Sequence, residues 1–382
     1  MNAVLNNFLR YTFLRYMGGA IIGFAAATSV AGDNQSEHQL PAMQSPLAHR
    51  VLLVSSERPG QRVVAGGSFG TIVYSDDQGE NWQQAQVPTQ NLITVLKFAD
   101  AKHGWAGSHD TLILHTRDGG EHWEIQHEEL MVDDDIAKPV LDLYFRDESH
   151  GIAIGAYSLL MTTEDGGATW EYADTDELAS LLEELGLEPQ PGFHAISPMA
   201  GGYLIVGELG TVLFYDPDGA DARAEAEPED PAAEDSALAD DREEDGDPSS
   251  DSPTRVGPWT ILSSPYEGSF FGLNTELSSG DILIYGLRGR IYRSSDRGDT
   301  WQRIEVPAEI TANIFDSVEL SDGTVIAVGG TGTLLRIAPG SSRAELIPYN
   351  DFNSFVSVER LSDTELLLFG SAGVQRFQLG EQ

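Results

Sequence analysis

The residues with the clearest capacity for chemistry are five arginines that lie close together in an acidic chain. They are Arg288, Arg290, Arg293, Arg297 and Arg303. A guanidinium group presents its donors as a rigid fork that fits a carboxylate, so this cluster is typical of a site that binds an acidic partner. The alternative is structural, with each arginine paired to acids of neighbouring elements. Neither interpretation gives these arginines a catalytic role.

A catalytic site is harder to find in this sequence. Glycosidases need two carboxylates facing each other across a cleft, and 61 acidic residues neither exclude nor locate such a pair. Five of the nine histidines lie close together, at His103, His109, His115, His122 and His127. Metal ligands must converge on one point, whereas these residues fall in different turns and strands. The absence of cysteine excludes thiol chemistry. We therefore expect no catalytic residue, no metal and no cofactor.

Four repeated turns indicate which elements position these residues. Each reads Ser/Thr-x-Asp-x-Gly-x-x-Trp and follows a short apolar run. The copies are Ser75, Asp77, Gly79 and Trp82; Thr116, Asp118, Gly120 and Trp123; Thr163, Asp165, Gly167 and Trp170; and Ser294, Asp296, Gly298 and Trp301. The Asp can accept hydrogen bonds within its own turn, the Gly can adopt positive φ, and the Trp begins the returning strand. The pattern predicts β-hairpins and gives these carboxylates a structural role.

The turns belong to a longer repeat. An apolar strand ending in glycine precedes each turn, and three further copies lack a complete turn. The seven glycines are Gly67, Gly107, Gly155, Gly207, Gly286, Gly329 and Gly370. A unit of about 40 residues with four short strands is typical of a propeller blade. We therefore predict an all-β fold, a seven-bladed β-propeller over residues 32–382, in which strands A to D follow one another in each blade.

The fourth blade carries an insertion in its C–D turn, at residues 217–257. Between Asp216 and Asp251 there are 16 acidic and 2 basic residues and no aromatic residue. This composition predicts a disordered, solvated spacer, because it offers nothing to bury. A calcium-binding loop is the alternative, although the spacing fits no defined loop.

Two longer segments connect strand D of one blade to strand A of the next. Residues 174–191 are predicted to insert a helix, since four leucines recur at helical spacing behind an acidic first turn. The leucines are Leu178, Leu181, Leu182 and Leu185. This helix either packs on the propeller or docks a partner. The other segment, residues 131–139, carries three consecutive acids at 133–135. D–A and B–C connections share one face of a propeller, so both segments should lie opposite the acidic insertion.

The first 31 residues differ from the rest of the chain. Arg10 and Arg15 precede an apolar run rich in Gly and Ala at residues 17–27, and Ser29-Val30-Ala31 fits a cleavage site between small residues. The pattern predicts a signal peptide over residues 1–31, with an uncleaved anchor as the alternative. We expect an exported protein of the periplasm or cell envelope of a Gram-negative bacterium.

The formal net charge is −39. Such a surface repels nucleic acid and anionic lipid headgroups. Adaptation to a salty medium, which screens the self-repulsion, explains the charge; a cationic partner is the alternative. We expect a monomeric propeller that binds no nucleic acid.

The last repeat contains strands A, B and C but ends before a strand D. Residues 36–40 precede a proline-led segment like those that open other blades. We predict that they supply the missing strand, pair with residues 374–379 and close the ring, which would remove two open sheet edges.

The repeat G-x-x-G-x-ϕ-x-x-S-x-D-x-G-x-x-W, preceded by D/E-x-x-x-G-ϕ-x-ϕ-G, resembles the photosystem II stability/assembly factor family, whose Asp-box (BNR) turns it shares. The resemblance covers the chain from about residue 40. It implies a non-enzymatic assembly factor that uses an arginine-rich patch, which the five arginines could match. The predicted function is an exported scaffold or accessory factor for an envelope or membrane protein complex. The alternative is an Asp-box glycan-binding protein or a sialidase-like glycoside hydrolase.

Overall fold

The structure, a computed structural model, describes residues 40–129, 138–186, 190–217, 219 and 254–380. Within them the chain forms seven antiparallel sheets. Strands follow chain order from the inner to the outer edge of each sheet, except that a fifth strand lies outside the fourth blade. Among the described residues, no helix is both long and apolar enough to cross a membrane.

The strands are numbered along the chain. Blade 1 contains β1 (Leu53–Glu57), β2 (Val63–Gly67), β3 (Ile72–Ser75) and β4 (Gln83–Gln84). Blade 2 contains β5 (Ile93–Phe98), β6 (Gly104–Ser108), β7 (Ile113–Thr116) and β8 (Glu124–His127). Blade 3 contains β9 (Val140–Phe145), β10 (Gly151–Gly155), β11 (Leu160–Thr163) and β12 (Glu171–Tyr172). Blade 4 contains β13 (Phe193–Met199), β14 (Gly202–Gly207), β15 (Val212–Tyr215), β16 (Thr254–Val256) and β17 (Trp259–Ile261).

Three further blades complete the ring, and one helix, α1 (Asp176–Glu184), precedes blade 4. Blade 5 contains β18 (Phe270–Asn274), β19 (Ile282–Gly286), β20 (Ile291–Ser294) and β21 (Gln302–Ile304). Blade 6 contains β22 (Ile314–Glu319), β23 (Val325–Gly329), β24 (Leu334–Ile337) and β25 (Ala344–Leu346). Blade 7 contains β26 (Phe355–Ser362), β27 (Glu365–Gly370) and β28 (Gly373–Gln378).

The inner strands close the ring. Each one contacts the inner strand of the blade before it and of the blade after it, and β26 of blade 7 contacts β1 of blade 1. The predicted all-β seven-bladed propeller is therefore confirmed. The seven repeat glycines lie at or next to the ends of the B strands.

The hydrophobic core is divided among the interfaces between neighbouring blades. Seven clusters of buried apolar side chains each join two adjacent blades. At the closing interface, Ala65 and Val73 of blade 1 pack with Leu367 and Phe369 of blade 7. Strands B and C supply most of these side chains because they are covered on both faces, which explains why they read as continuous apolar runs.

The helix α1 lies within the segment where a helix is predicted. Leu178 and Leu182 are each 1% exposed, whereas Leu185 is 50% exposed. Two of the four leucines therefore pack in the apolar cluster between blades 3 and 4, and α1 also contacts β16. The apolar face is narrower than the spacing predicts because Leu185 comes after the last helical residue.

The acidic insertion ends in ordered structure. The composition places residues 254–256 in the disordered spacer, but they form β16, which pairs with β17 through a turn at Gly257. Val256 lies opposite Trp259 in that pair, so the hairpin has an apolar partner that the acidic stretch lacks. The rest of the insertion, apart from Pro217 and Gly219, lies outside the described residues, as do the predicted acidic residues 133–135.

The predicted strand at residues 36–40 also falls mostly outside the described residues. Leu40 is exposed and belongs to no strand, and β28 has no fourth strand beside it in the described part of the chain. From Pro41 onward the chain runs along the outer edge of blade 1, where the Ala42 N–H donates to the Val87 carbonyl at 2.9 Å. Closure of blade 7 by an N-terminal strand stays a prediction.

Candidate functional site

The Asp-box residues form a closed hydrogen-bond network within each turn. In blade 1 the Ser75 hydroxyl donates to the Asp77 carboxylate at 2.8 Å and accepts from the Gly79 N–H at 2.8 Å. The Asp77 carboxylate also accepts from the Asn81 N–H at 2.8 Å. These bonds from Asn81 and Ser75 lower the pKa of Asp77 to about 2. The carboxylate is thus used by its own turn.

The other three predicted boxes repeat this geometry. The hydroxyls of Thr116, Thr163 and Ser294 bond the carboxylates of Asp118, Asp165 and Asp296 at 2.7–2.9 Å and accept from the N–H groups of Gly120, Gly167 and Gly298. The indole N–H groups of Trp82 and Trp123 donate to the carbonyls of Gly79 and Gly120. Trp123 and Trp170 are buried and Trp301 packs against a core cluster. These residues shape hairpins at four C–D turns.

The five arginines of blade 5 lie at different places on the blade. Arg288 and Arg290 occupy the B–C turn, and Arg297 occupies the C–D turn at the other end of β20. Arg303 lies on the outer strand β21, with a guanidinium nitrogen 3.5 Å from Glu305. Of the five arginines, only Arg288 and Arg290 lie at the same turn. Strand C crosses the blade from one face to the other and so separates them from Arg297.

Arg293 serves the contact between two blades. It is 9% exposed, and its Nη1 donates to the Ser341 carbonyl of blade 6 at 2.9 Å. Its Nε lies 3.5 Å from the Asp281 carboxylate of its own blade. Arg293 therefore fits the structural interpretation, in which the arginine bonds groups of neighbouring elements rather than a partner.

The B–C turns form a repeated rim on one face of the propeller. In six blades the tip residue adopts left-handed φ; in blade 5 this is Arg288, with φ 57°, followed by Gly289 at 70°. The equivalent tip residues are Phe69, Asp110, Tyr157, Leu209 and Thr331. Two successive residues with positive φ are the signature of a tight type I′ hairpin turn. The rim thus presents six different side chains on one backbone geometry.

Each B–C turn packs against the D–A connection that follows it in the ring. A Cβ at Gly70 would lie 1.8 Å from the Thr89 carbonyl oxygen, so this position requires glycine. In blades 2 and 3 the corresponding residues are Thr111 and Ser158, whose hydroxyls donate to the carbonyls of Lys138 and Pro191 at 3.2 and 3.1 Å. The rim is therefore held in place by backbone of the neighbouring connections.

Arg288 and Arg290 form the cationic part of this rim. The Arg288 N–H donates to Asn313 Oδ1 at 3.1 Å, and its side chain is exposed. The Arg290 guanidinium lies 5.5 Å from the ring centre of Tyr266, and its buried Nε has no hydrogen-bond partner among the described residues. An anionic group could approach this pair without first displacing a protein carboxylate.

The histidines of blade 2 do not converge on one point. His103 Nδ1 lies 2.9 Å from Asp100 and 3.8 Å from Glu148, and these three residues are close enough to hold an ion. The same Asp–His contact recurs in blade 3 at Asp147 and His150, so it belongs to the A–B hairpin. His122 instead bonds the Asp-box carboxylate of blade 2.

His115 is buried, and stacks against the Trp105 ring at 4.9 Å. Burial lowers its pKa to about 4, so this imidazole is neutral at physiological pH. Its role is that of an aromatic core residue, because it continues the stack of Phe145 on Trp105.

A group of charged residues on the inner strands is not predicted from the sequence. We call it the inner ring; it comprises Glu57, Lys97, Asp142, Asp316 and Glu359. Lys97 Nζ donates to Glu57 at 2.8 Å, and the Glu57 carboxylate raises the pKa of Lys97. The inner ring thus contains one ammonium group, from blade 2, and four carboxyl groups, each from a different one of four other blades. Its sequence signal is recurrence at the repeat spacing, since each member lies on a strand A.

The carboxyl groups of the inner ring bond neighbouring inner strands. Asp142 accepts from the Ile196 N–H and Asp316 from the Val358 N–H, each at 2.9 Å. Ser56 of blade 1 donates to Glu359 of blade 7 at 3.1 Å. These bonds join blade 3 to 4, blade 6 to 7 and blade 7 to 1.

Two members of the inner ring have strongly altered acidity. Burial, with the charges of Glu57 and Asp316, raises the pKa of Glu359 to about 8. Burial also raises the pKa of Asp316 to about 6. The inner ring can therefore hold a proton on Glu359 at neutral pH.

The sheets, turns and rim together define a seven-bladed Asp-box β-propeller. A family model described as "Photosynthesis system II assembly factor YCF48" matches residues 75–137 and 126–223. This match confirms that the chain is similar to the photosystem II assembly factor family, as the repeats indicate.

Curated relatives match short segments. The chain is 33% identical over 82 residues to the photosystem II assembly protein Ycf48 of Synechococcus sp. (strain JA-2-3B'a(2-13)), covering 21% of this chain and 20% of the relative. It is 35% identical over 85 residues to the chloroplastic photosystem II stability/assembly factor HCF136 of Cyanidioschyzon merolae, covering 22% and 18%. The chain thus spans about a fifth of the length of the curated relatives it matches.

Solved structures match almost the whole propeller. YCF48 bound to D1 peptide has a TM-score of 0.58 at 13% identity, covering 87% of this chain and 94% of that one. YCF48 from Cyanidioschyzon merolae has a TM-score of 0.60 at 13% identity, covering 86% and 96%. The extracellular domain of the one component system BT4673 from B. thetaiotaomicron has a TM-score of 0.58 at 12% identity, covering 86% and 38%. At these sequence identities the similarity concerns the fold alone, and one fold occurs in proteins of different functions.

Proposed function

We propose that this protein is an exported, non-enzymatic scaffold that binds an envelope or membrane protein complex as an assembly or accessory factor. Support comes from the family match and from a propeller of the same fold that is bound to D1 peptide. A rigid propeller face is well suited to this role, because turns held by a scaffold present side chains at low entropic cost.

We place the protein in the periplasm or envelope of a Gram-negative bacterium, since residues 1–31 have the pattern of a signal peptide. Residues 36–40 follow the predicted cleavage site at Ala31. The exported chain would therefore retain the strand that we propose to complete blade 7.

The rim of B–C turns is the surface on which we place the partner site. The observation that carries this choice is the pair Arg288 and Arg290. Arg290 lies against the Tyr266 ring, and Arg288 is exposed at the turn tip two residues before it. Arg293, in contrast, is used between blades. The partner segment should carry carboxylates, which suit the guanidinium fork.

The test is capture of a membrane complex by the tagged full-length chain from native membranes. Arg288→Glu with Arg290→Glu should abolish capture while the circular dichroism spectrum stays unchanged, because a desolvated charged anchor contributes about 2–5 kcal/mol. Arg297→Glu with Arg303→Glu is the matched control. It makes the same charge change in the same blade but away from the rim, and should retain capture.

Three results would count against this assignment. Unchanged capture by the rim variant would exclude the two arginines. Equal loss in the control variant would indicate a general effect of charge. Loss of the folded spectrum would show that Arg288 and Arg290 are structural, and the next candidate site would then be α1.

The alternative function is that of an Asp-box glycan-binding protein or glycoside hydrolase. The raised pKa values of Glu359 and Asp316 favour it, because a general acid must hold a proton near neutral pH. Against it, both carboxyl groups already accept hydrogen bonds from neighbouring strands. Hydrolysis of a chromogenic glycoside by the native chain, lost in Glu359→Gln, would favour the hydrolase.

A further inference from the structure

Two hairpin turns from neighbouring blades bring one histidine and two carboxylates together. The turn between β5 and β6 of blade 2 supplies Asp100 and His103, and the turn between β9 and β10 of blade 3 supplies Glu148. His103 Nδ1 lies 2.9 Å from the Asp100 carboxylate and 3.8 Å from the Glu148 carboxylate. The three ligand atoms all lie within 4.8 Å of one another. Among the described residues, no other group of three such side chains is this close.

These distances are close to those that one zinc ion imposes on its ligands. Nitrogen and oxygen ligands lie about 2.0–2.2 Å from zinc, so two of them in a tetrahedral site are about 3.3–3.6 Å apart. The Asp100 oxygen would move away from His103 Nδ1, and the Glu148 oxygen would approach it, each by about half an ångström. Both carboxylates belong to exposed turn residues, so this adjustment meets little resistance.

The ring of His103 stands at the end of an aromatic stack between blades 2 and 3. It lies 6.3 Å from the ring of His115 at an interplanar angle of 16°, and His115 stacks in turn on Trp105. Trp105 stacks on Phe145 of blade 3. His115 is 4% exposed and neither ring nitrogen has a hydrogen-bond partner among the described residues, so ring stacking positions it. The stack thus helps to hold His103 with Nδ1 towards the two carboxylates, and a fixed ring orientation favours metal binding.

Blade 3 contains only part of this arrangement. Its A–B turn carries Asp147 and His150 at the corresponding positions, with the same 2.9 Å contact between carboxylate and imidazole. The next A–B turn, at residues 200–201 of blade 4, has no acidic residue. Hydrogen bonding within a hairpin therefore explains each Asp–His pair. It does not explain Glu148, which reaches the first pair from another blade.

We propose that Asp100, His103 and Glu148 bind one divalent transition-metal ion, with zinc as the expected metal. An imidazole ligand favours zinc and the later first-row metals over magnesium and calcium, which prefer oxygen ligands. Three protein ligands leave the fourth tetrahedral position to water, because both carboxylates face solvent. The site goes beyond the proposed scaffold function, since it joins two blades on the face opposite the rim of B–C turns.

The sequence alone does not reveal this site. The expectation of no metal was based on the five histidines of blade 2, which fall in different turns and strands. The proposed site uses only His103, and its third ligand, Glu148, comes from the next repeat. The net charge of −39 raises the concentration of cations near the surface, but only the contact between two blades selects where one is bound.

The test is calorimetric titration of the full-length chain with zinc chloride in the presence of excess calcium. Calcium occupies exposed carboxylates, so a saturable zinc site that persists has a nitrogen ligand. We expect one such site in the native protein. It should be weakened by about 10–100-fold or more in His103→Ala and in Glu148→Gln. His150→Ala is the matched control, because it removes the same Asp–His contact in the next blade, and it should bind zinc like the native chain.

A second measurement follows the histidine ring protons by NMR during the titration. Zinc should shift the resonances of His103 and leave those of His150 unchanged. Equal zinc binding by the native chain, His103→Ala and Glu148→Gln would show that the proposal is wrong, as would equal loss in His150→Ala or displacement of zinc by calcium. If circular dichroism shows that His103→Ala does not fold, Glu148→Gln decides the question, because the Glu148 side chain is 63% exposed.

Discussion

Glu359 shows what a single inner-ring residue does to the stability of the protein. Its pKa is about 8 in the folded chain against an ordinary value of 4.5. Between these values the folded state holds a proton that the unfolded state has released. The contribution of Glu359 to the free energy of unfolding is therefore present at low pH and is lost as the pH rises to about 8.

The first prediction follows from this sign. The Glu359→Gln variant has no carboxyl group that titrates at this position. The free energy of unfolding of this variant should therefore fall less than that of the native protein between about pH 5 and about pH 9. Urea denaturation at the two pH values measures the difference. Glu345→Gln, on the exposed outer strand β25, is the control and should keep the native dependence. Parallel profiles for all three proteins would show that Glu359 carries no such proton.

A second prediction concerns the glycine of the blade 1 rim turn. Gly70→Ala would place a Cβ 1.8 Å from the Thr89 carbonyl oxygen. We expect a loss of about 3 kcal/mol or more, since both turn and connection are backbone and cannot move aside cheaply. Gly340→Ala is the control, because φ is 67° there but nothing lies within 4 Å. Its cost should be about 1–2 kcal/mol. Equal losses would mean that only backbone φ matters.

Residues of the inner ring show why site prediction from this sequence is limited. Glu57, Lys97 and Glu359 come from three different repeats, so only the ring brings them within reach of one another. The arginines of blade 5 show the opposite case. They are neighbours in sequence, yet a short strand C carries them to opposite ends of a blade.

At the scale of elements, the repeat predicts most of the fold. Each strand B glycine and each Asp-box is a local signal, because the turn chemistry is contained within a few residues. The hairpin of β16 with β17 has no such local signal, because β16 directly follows the long acidic stretch and has no Asp-box or strand B glycine beside it. The exposure of Leu185 was likewise not readable from helical spacing, because it depends on where α1 ends.

The third prediction concerns the acidic insertion of blade 4. Replacing residues 218–253 with a short Gly-Ser linker should leave the melting temperature in high salt nearly unchanged, because loop closure depends weakly on length. Extending the deletion through Val256 removes β16, which pairs with β17 and contacts α1. That longer deletion should lower the melting temperature. A large loss from the shorter deletion would show that the acidic segment packs on the propeller or binds an ion.

At the scale of the whole molecule, the ring closes where β26 of blade 7 contacts β1 of blade 1. Blade 7 has three strands in the described chain, while the blade 7 to blade 1 interface is apolar like the others. The fourth prediction is that deleting residues 36–40 lowers the melting temperature strongly, since it would remove the proposed strand beside β28. Deleting residues 381–382 is the control. Equal melting temperatures for the native and the truncated chain would leave blade 7 without an N-terminal strand.

The rim turns have an evolutionary consequence. Their tips accept phenylalanine, aspartate, tyrosine, leucine, arginine and threonine in one backbone state, and of these side chains Asp110 also accepts a hydrogen bond from Asn91 at 3.2 Å. A point mutation at a tip can therefore rewrite recognition without endangering the architecture. Partner recognition on this face is thus separable from the stability of the ring beneath it.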